Sequence, residues 1–161
     1  MVKAAPAPDR ATAQAAEAFI TASRALVGIA IRSINAASAD ITLPQHRVMV
    51  VLAADGPQGI SQLADQLAID QSNASRLCDR LQRLGLIARQ RSSTDGRAVH
   101  VHLTSSGAKL LKEVNAYRQR EVGRVLSTMP RRTVEAAVQA LTDFSQAARE
   151  ATEQEWSAHQ V

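Results

Sequence analysis

The sequence predicts a mainly α-helical protein with one small β-hairpin. Apolar residues recur at spacings of three and four in long stretches near both ends, which is the period of an amphipathic helix. Between them, residues 98–104 alternate apolar and polar side chains, the period of a half-buried strand. The 161 residues are rich in alanine and only 2% aromatic, which also favours helix. This length suits one domain, or one core with extensions.

The N-terminal part is predicted to be a disordered lead over residues 1–8 and then a long helix over residues 9–39. Proline and alanine dominate the lead. In the helix, Phe19, Leu26 and Ile29 belong to one apolar stripe, and Gly28 is the one residue that weakens the pattern.

Two shorter helices are expected next. Thr42 and Gln45 have the spacing of a capping box, which predicts a helix that runs to about Ala54. The Asp55-Gly56-Pro57 sequence should end it. A very short strand is predicted around residues 59–60, and Ser61 is predicted to cap a small helix that follows.

Residues 70–85 predict an amphipathic helix with a polar outer face. Asp70 is expected to cap it through its carboxylate, and Gly85 to end it. The apolar face comprises Ala74, Leu77, Cys78, Leu81 and Leu84. The opposite face combines short hydrogen-bonding side chains near the N-terminus with arginines further on, which suits a helix that enters a DNA major groove by its N-terminal end.

A β-hairpin is predicted to follow, with strands at residues 86–91 and 98–104. Asp95-Gly96 lies between the strands and favours a turn. Arginines surround this tip, and a hairpin that carries arginine can reach a minor groove beside the helix. Arg97 could enter that groove, be held by Asp95, or do both.

These residues resemble a known family. The run from Leu43 to Lys109 is similar to the winged helix-turn-helix of MarR-type bacterial transcription regulators. The most specific part is Asp95-Gly96-Arg97 followed by Val101-His102-Leu103-Thr104 and Gly107, which resembles the family's wing pattern. The resemblance implies a winged helix-turn-helix DNA-binding domain over residues 40–104. It implies flanking dimerisation helices over residues 9–39 and 105–161.

The predicted DNA contacts form three groups. On the recognition helix they are Gln71, Ser72, Asn73, Ser75, Arg76 and Arg80. On the wing they are Arg89, Arg91, Ser92, Ser93, Thr94, Asp95 and Arg97. Ser61 and Gln62, at the N-terminus of the preceding helix, are predicted phosphate ligands.

The charge pattern agrees with these assignments. Lys and Arg total 19 and Asp and Glu total 15, so the net charge is only +4. From Arg76 to Arg97 inclusive, however, there are six arginines, and the only acidic residues in this stretch are Asp79 and Asp95. The positive charge is therefore local, as a phosphate-binding patch requires, although a solvated arginine-rich surface would look the same.

Other classes of function find little support in the sequence. No phosphate loop, metalloprotease motif or nucleophile elbow is present, so no enzyme and no cofactor are predicted. Cys78 could be redox-active, but its place on the apolar stripe favours packing. His100 and His102 could form a metal pair, but exposed strand positions are favoured, and no metal site is predicted. No signal peptide or membrane span is expected, and the protein is predicted to be cytoplasmic.

The C-terminal part predicts two more amphipathic helices, the last over about residues 132–157. Their apolar faces and that of the first helix would be poorly covered in a monomer, which predicts a homodimer. The favoured function is a sequence-specific regulator, a repressor that a small-molecule effector releases from a palindromic operator. The resemblance puts this effector between the dimer helices and the DNA-binding lobe. The alternative is a sequence-tolerant structural DNA-binding protein without a ligand response.

Overall fold

The computed structural model describes residues 9–91 and 99–150, and these form six helices and one two-stranded sheet. The helices and strands follow one another in the order α1 (Arg10–Asn35), α2 (Leu43–Asp55), α3 (Ile60–Leu67), α4 (Gln71–Arg83), β1 (Ile87–Arg91), β2 (Val99–Leu103), α5 (Ser105–Leu126) and α6 (Arg131–Ala147). The predicted lead at residues 1–8 lies outside the described residues.

Helix α1 is shorter than the sequence predicted. Asp9 caps it by accepting the Thr12 N–H at 2.7 Å, but the helix ends at Asn35 rather than near residue 39. The reason is a contact with α5. The backbone N–H and hydroxyl of Ser38 donate to the two carboxylate oxygens of Glu113, at 3.0 and 2.7 Å. The segment after α1 is therefore held against α5 in an irregular conformation.

Helix α2 supplies the centre of the core. The predicted capping box is confirmed, because the Thr42 hydroxyl accepts the Gln45 N–H and the Gln45 side chain accepts the Thr42 N–H. Six consecutive residues, Val48 to Ala53, are buried. They pack with Leu63, Leu81, Ile87, Val101, Leu110, Leu111 and Val114 from the surrounding elements.

The start of α3 corrects two predictions. No strand forms at residues 59–60; instead Gln58 pairs with Val101 through two backbone hydrogen bonds of 3.0 and 2.7 Å. Gly59 is the N-cap, and its N–H donates to the Gln62 side chain at 2.9 Å. Ser61 therefore lies inside the first turn and does not cap the helix.

The hairpin is antiparallel, with Ile87 opposite Leu103 and Arg91 opposite Val99. The alternation of apolar and polar residues in β2 matches the burial of their side chains only in part. Val101 is fully buried, but Val99 remains 47% exposed because it lies at the far end of the hairpin from the core. The strands are each a residue or two shorter than predicted.

Helix α5 is joined to the base of the hairpin by the Leu-Thr-x-x-Gly motif. The Thr104 hydroxyl accepts the Gly107 N–H at 3.1 Å and donates to the Gly85 carbonyl at 2.7 Å. The Thr104 N–H donates to the Leu86 carbonyl. A Cβ at Gly107 would lie 2.2 Å from that same carbonyl oxygen. Only glycine lets α5 approach the end of α4 this closely.

Helix α6 ends earlier than predicted. It stops at Ala147, where Arg149 takes a left-handed conformation (φ 56°) and the Glu150 N–H donates to the Ser145 carbonyl. Glu150 then forms a two-pronged ion pair with Arg47 of α2, with one oxygen at 2.7 Å. This pair ties the end of α6 to α2. Trp156, predicted on this helix, lies outside the described residues.

The apolar faces of α1 and α6 are largely uncovered. Helix α6 contains no buried residue, and Val138 and Phe144 are 62% and 55% exposed. On α1, Ile20 is 57% exposed, although Phe19 contacts Phe144 with ring centroids 4.6 Å apart. A single copy of the chain leaves this apolar surface facing solvent.

By length and composition, α1 is also apolar enough to cross a membrane, with a mean hydropathy of 1.2. The uninterrupted apolar runs in the sequence are far shorter than a membrane span, which is why the sequence predicts none. Helix α1 nevertheless packs against α5 and contains Arg24 and Arg32. An amphipathic helix of a globular protein can pass the same test of length and composition, so this feature is weak evidence for a membrane span.

Candidate nucleic-acid interface

Helix α4 has one buried face and one exposed face, as the sequence predicted. Ala74, Cys78 and Leu81 are fully buried, whereas Leu77 is half-buried and Leu84 is 36% exposed. Leu84 is exposed because the helix ends there. Gly85 (φ 70°) turns the chain, and the Leu86 N–H donates to the Leu81 carbonyl, a Schellman-type ending.

The N-terminus of α4 differs from the prediction in one respect. Asp70 is the N-cap residue, but its carboxylate accepts no backbone N–H. Its carbonyl instead accepts the N–H groups of Asn73 and Ala74, both at 3.0 Å. The turn before it is made by Ala68, which adopts a left-handed conformation (φ 53°). No described side chain therefore caps the first N–H groups of α4.

Most of the predicted contacts on α4 lie on its outer face, and Asn73 lies at its border, in a groove with Leu67, Ile69 and Leu77. Gln71, Ser72, Arg76 and Arg80 are exposed, and Asn73 and Ser75 are half-buried. Arg76 forms no hydrogen bond or ion pair with any residue in the two described ranges, so its guanidinium is available to a ligand. Arg80 lies 3.9 Å from Asp40, a weak and exposed contact.

The described part of the hairpin adds two arginines to this surface. Arg91 is exposed at the end of β1. Arg89 is held against α4: it donates to Asp79 at 2.6 Å and to Gln82 at 2.8 Å. This pairing orients the hairpin relative to α4 and leaves Arg89 less free to contact phosphate than Arg91. The remaining predicted wing residues, Ser92, Ser93, Thr94, Asp95 and Arg97, lie outside the described residues.

Ser61 and Gln62 are both exposed at the first turn of α3. The Gln62 carbonyl oxygen is engaged by the Gly59 N–H, so the Gln62 amide NH₂ is the group it can offer to a phosphate. Ser61 can offer its hydroxyl. The two side chains thus remain compatible with phosphate binding although Ser61 does not cap the helix.

Cys78 is fully buried beneath the outer face. Burial raises the pKa of its thiol to about 11; Arg89 lowers this pKa slightly and Asp79 raises it. A thiol with such a pKa is almost entirely protonated at neutral pH and is a poor nucleophile. Its burial agrees with the packing interpretation.

Sequence reasoning missed a buried histidine on α2. His46 on α2 is 3% exposed, and its Nε2 has no partner in the described structure. Burial, Arg118 and Arg47 lower the pKa of His46 to about 4, so it is neutral. Burial also lowers the pKa of Arg118, whose Nε lacks a partner among the described residues. A lone histidine in a sequence gives no signal of such burial.

A metal site finds no support in the geometry. Across residues 9–91 and 99–150, no three His, Cys, Asp or Glu side chains gather where they could bind an ion.

Comparison with known proteins identifies the fold and the family. The MarR family profile matches residues 39–98, which include α2, α3, α4 and the first strand of the hairpin, β1. RV1404 from Mycobacterium tuberculosis has the same fold with a TM-score of 0.82, and is 32% identical over 91% of this chain and 99% of that one. The chain belongs to the MarR family of transcription regulators.

Two other proteins extend this comparison. The transcriptional regulator FarR of Neisseria gonorrhoeae is 34% identical over 101 residues, which span 63% of each chain. The chain therefore matches just under two thirds of that relative. Streptococcus pneumoniae FabT, in a crystal structure with DNA, has the same fold with a TM-score of 0.64 and 22% identity, covering 84% of this MarR-family chain and 96% of FabT. RV1404 and FabT thus share the fold of this chain.

Proposed function

We propose that this MarR-family protein is a cytoplasmic, homodimeric repressor that binds a palindromic operator through α4 and the hairpin. The observation that carries the proposal is the outer face of α4. Gln71, Ser72 and Arg76 are solvent-exposed there and have no side-chain partner among the described residues, while the opposite face is anchored in the core. A rigid helix with a free polar face beside an arginine-bearing hairpin suits major-groove recognition.

The same packing supports a division of the chain into two regions. Residues 40–104 would form the DNA-binding domain, and residues 9–39 and 105–161 would form the dimerisation region. The exposed apolar side chains of α1 and α6 support a dimer, because a second copy would cover them. A two-fold axis would then place two α4 helices about 34–36 Å apart, one turn of B-DNA.

An effector would act by redistributing dimer conformations. A small molecule between the dimer helices and the DNA-binding lobe would favour a spacing of the two α4 helices that does not match the operator. The effector can release the dimer from DNA only if it binds the dimer with the mismatched spacing more tightly than the dimer with the matching spacing.

The proposal is tested by the salt-dependent affinity of two variants for DNA from upstream of the protein's own gene. If Arg76 contacts a base, Arg76→Ala should cost about 1–3 kcal/mol and relax the preference at one position in each half-site. Arg97→Ala should weaken binding most where the flanks have a narrow A·T minor groove.

Arg132→Ala is the matched control. Arg132 is an exposed arginine of α6 and lies far along the chain from α4. Its loss should leave operator affinity unchanged. Equal weakening by all three substitutions on every duplex would instead favour the sequence-tolerant structural DNA-binding protein. No weakening by Arg76→Ala or Arg97→Ala on any duplex would refute the assignment of α4 and the hairpin.

A further inference from the structure

A groove of about 320 Å³ lies where α2, α3 and α4 meet, and we call it the α2–α4 groove. It is lined by residues from the start of α2, the end of α3, the turn that follows and α4, namely Pro44, Arg47, Leu67, Ile69, Asn73 and Leu77. Four of these six side chains are apolar, and three of the four are only half-buried. Within the described ranges, no residue of α1, α5, α6 or the hairpin lines the groove. The lobe formed by α2, α3 and α4 thus leaves apolar surface uncovered there.

The end of the described chain is anchored at the rim of this groove. Arg47 lines the groove and also forms the two-pronged ion pair with Glu150, with one contact of 2.7 Å. The two side chains remain 47% and 43% exposed, so the pair lies at the surface beside the groove opening. Glu150 is the last residue of the second described range. Residues 151–161, which we call the tail, therefore start next to the groove.

The tail carries an apolar side chain of suitable size and reach. Of the four aromatic residues in the sequence, Phe19 and Phe144 pack on each other, and Tyr117 lies beneath an arginine of its own helix. The fourth, Trp156, follows Glu150 by six residues, which span about 9 Å as a helix and about 20 Å when extended. A cavity of about 150 Å³ holds a benzene ring. The α2–α4 groove, about twice as large, can therefore hold an indole.

The polar groups of the groove also match an indole. A buried indole N–H usually finds an acceptor. Asn73 lines the groove, and its side chain makes no hydrogen bond within the two described ranges, so its carbonyl oxygen can accept that N–H. The Arg47 guanidinium at the rim can lie over the face of the ring, which is a favourable arrangement.

The charges of the tail and of the surface around the groove are opposite in sign. The tail contains Glu153 and Glu155 and no lysine or arginine. On α4, Arg76 and Arg80 each lie three residues beyond a groove residue and so neighbour it on the helix surface. Attraction between these charges favours the tail over a neutral apolar segment as the occupant of the groove.

We propose that the tail docks in the α2–α4 groove of its own chain, with the Trp156 indole against the apolar wall and its N–H donating to Asn73. Because Glu150 tethers the tail beside the groove, its effective concentration there is on the order of millimolar, so a weak intrinsic affinity is enough. The docked tail fastens the end of α6 to α2, α3 and α4 and restricts their movement against α6. This inference does not depend on the proposed DNA-binding function.

The fluorescence of Trp156 tests the docking in the full-length protein. It is the only tryptophan of the sequence, so the emission reports on this side chain alone. In the native protein its emission should lie at shorter wavelength than in urea-unfolded protein. Its quenching by acrylamide, measured as the collisional quenching constant, should be lower than in the unfolded chain.

Substitutions in the groove should release the indole. Ile69→Ala removes part of the apolar wall, and the loss of even one methylene contact lowers the ratio of docked to undocked tail roughly tenfold. Pro44→Glu places a carboxylate in the groove, where it repels the acidic tail, and an acidic residue in the first turn of α2 is compatible with folding. Both variants should raise the quenching constant of Trp156 toward its unfolded value.

Leu43→Glu is the matched control for Pro44→Glu. Leu43 is the neighbouring residue, is also exposed in the first turn of α2, and does not line the groove. Leu43→Glu should leave the quenching constant unchanged. Circular dichroism and urea unfolding establish that each variant is folded under the conditions of the fluorescence measurement.

A mixing experiment distinguishes a chain's own groove from that of a second copy. The chain with Ile69→Ala and Pro44→Glu, which retains Trp156, is equilibrated with an excess of a Trp156→Phe chain, whose groove is intact and which contributes no tryptophan emission. Docking within one chain predicts that the mixture is quenched as strongly as the groove variant alone. Restored protection of Trp156 in the mixture would show that the tail occupies the groove of a second copy, which contradicts the proposal.

Two further results would overturn the proposal. Equal quenching of Trp156 in native and unfolded protein would show that the tail does not dock. Protection that persists in both groove variants would show that the indole is buried elsewhere, for example against the exposed apolar faces of α1 and α6.

Discussion

Gly107 should be among the least replaceable residues of the chain. A methyl group there would meet the Leu86 carbonyl oxygen at 2.2 Å and Leu103 Cδ1 at 2.7 Å. The carbonyl is backbone and already accepts the Thr104 N–H, so it cannot move away without losing that hydrogen bond. Gly107→Ala therefore forces α5 away from the end of α4 and the base of the hairpin.

The expected change in the free energy of unfolding of Gly107→Ala combines opposing effects. Overpacking of a buried site costs about 1–3 kcal/mol, and a lost hydrogen bond about 1 kcal/mol more. Alanine is favoured over glycine within a helix by about 1 kcal/mol, which offsets part of this cost. We expect a net loss of about 1–3 kcal/mol in the free energy of unfolding.

Gly123→Ala is the matched control. It makes the same substitution on the same helix, at an exposed position where an added Cβ meets nothing within 4 Å. It should stabilise the protein by about 0.5–1 kcal/mol. Urea unfolding at one fixed protein concentration measures both variants. If Gly107→Ala were as stable as wild type, the close approach at the Leu-Thr-x-x-Gly motif would not explain its glycine.

Three further perturbations test the remaining contacts. Cys78→Ala should cost about 1 kcal/mol of stability yet leave DNA affinity and its response to peroxide unchanged; peroxide release that depends on Cys78 would contradict its packing role. His46, whose pKa falls from 6.5 to about 4 on folding, is neutral in both states above pH 6.5. Below that pH the unfolded chain binds a proton that the folded chain does not, so stability should fall by up to roughly 3 kcal/mol between pH 6.5 and 4. His46→Gln should remove that part of the pH dependence, and an unaltered profile would show that His46 titrates normally. A double-mutant cycle on Arg47→Ala and Glu150→Gln should give a coupling of about 0.5–1 kcal/mol that diminishes in high salt, whereas zero coupling at low salt would show that the pair does not hold α6 to α2.

Much of the fold could be predicted because local signals agreed with tertiary packing. The Thr42–Gln45 capping box, the apolar face of α4 and the glycine at residue 85 each have a local physical cause, and each is confirmed. The family assignment depended on the order of these features rather than on any single one.

Other features depend on contacts that are distant in sequence. Helix α1 ends early because Ser38 bonds to Glu113, seventy-five residues away. Helix α6 ends early where Glu150 reaches Arg47. No local pattern near residues 38 or 150 carries that information.

The candidate site likewise has features with a local cause and features that depend on distant contacts. The outer face of α4 could be read from helical periodicity alone. The pairing of Arg89 with Asp79 could not, because it depends on how the hairpin packs against the helix. A groove lined by the end of α2, both strands and the start of α5 could not be predicted either, since it exists only where these four elements meet.

A footprint of the protein on the DNA upstream of its own gene tests the central claim most directly. The claim is that two copies of α4, related by a two-fold axis, read one operator. It predicts a discrete protected site made of two half-sites whose centres lie about 10–10.5 base pairs apart, at protein concentrations that leave surrounding DNA unprotected. Protection that spreads evenly along the DNA, with no such pair of half-sites, would contradict it.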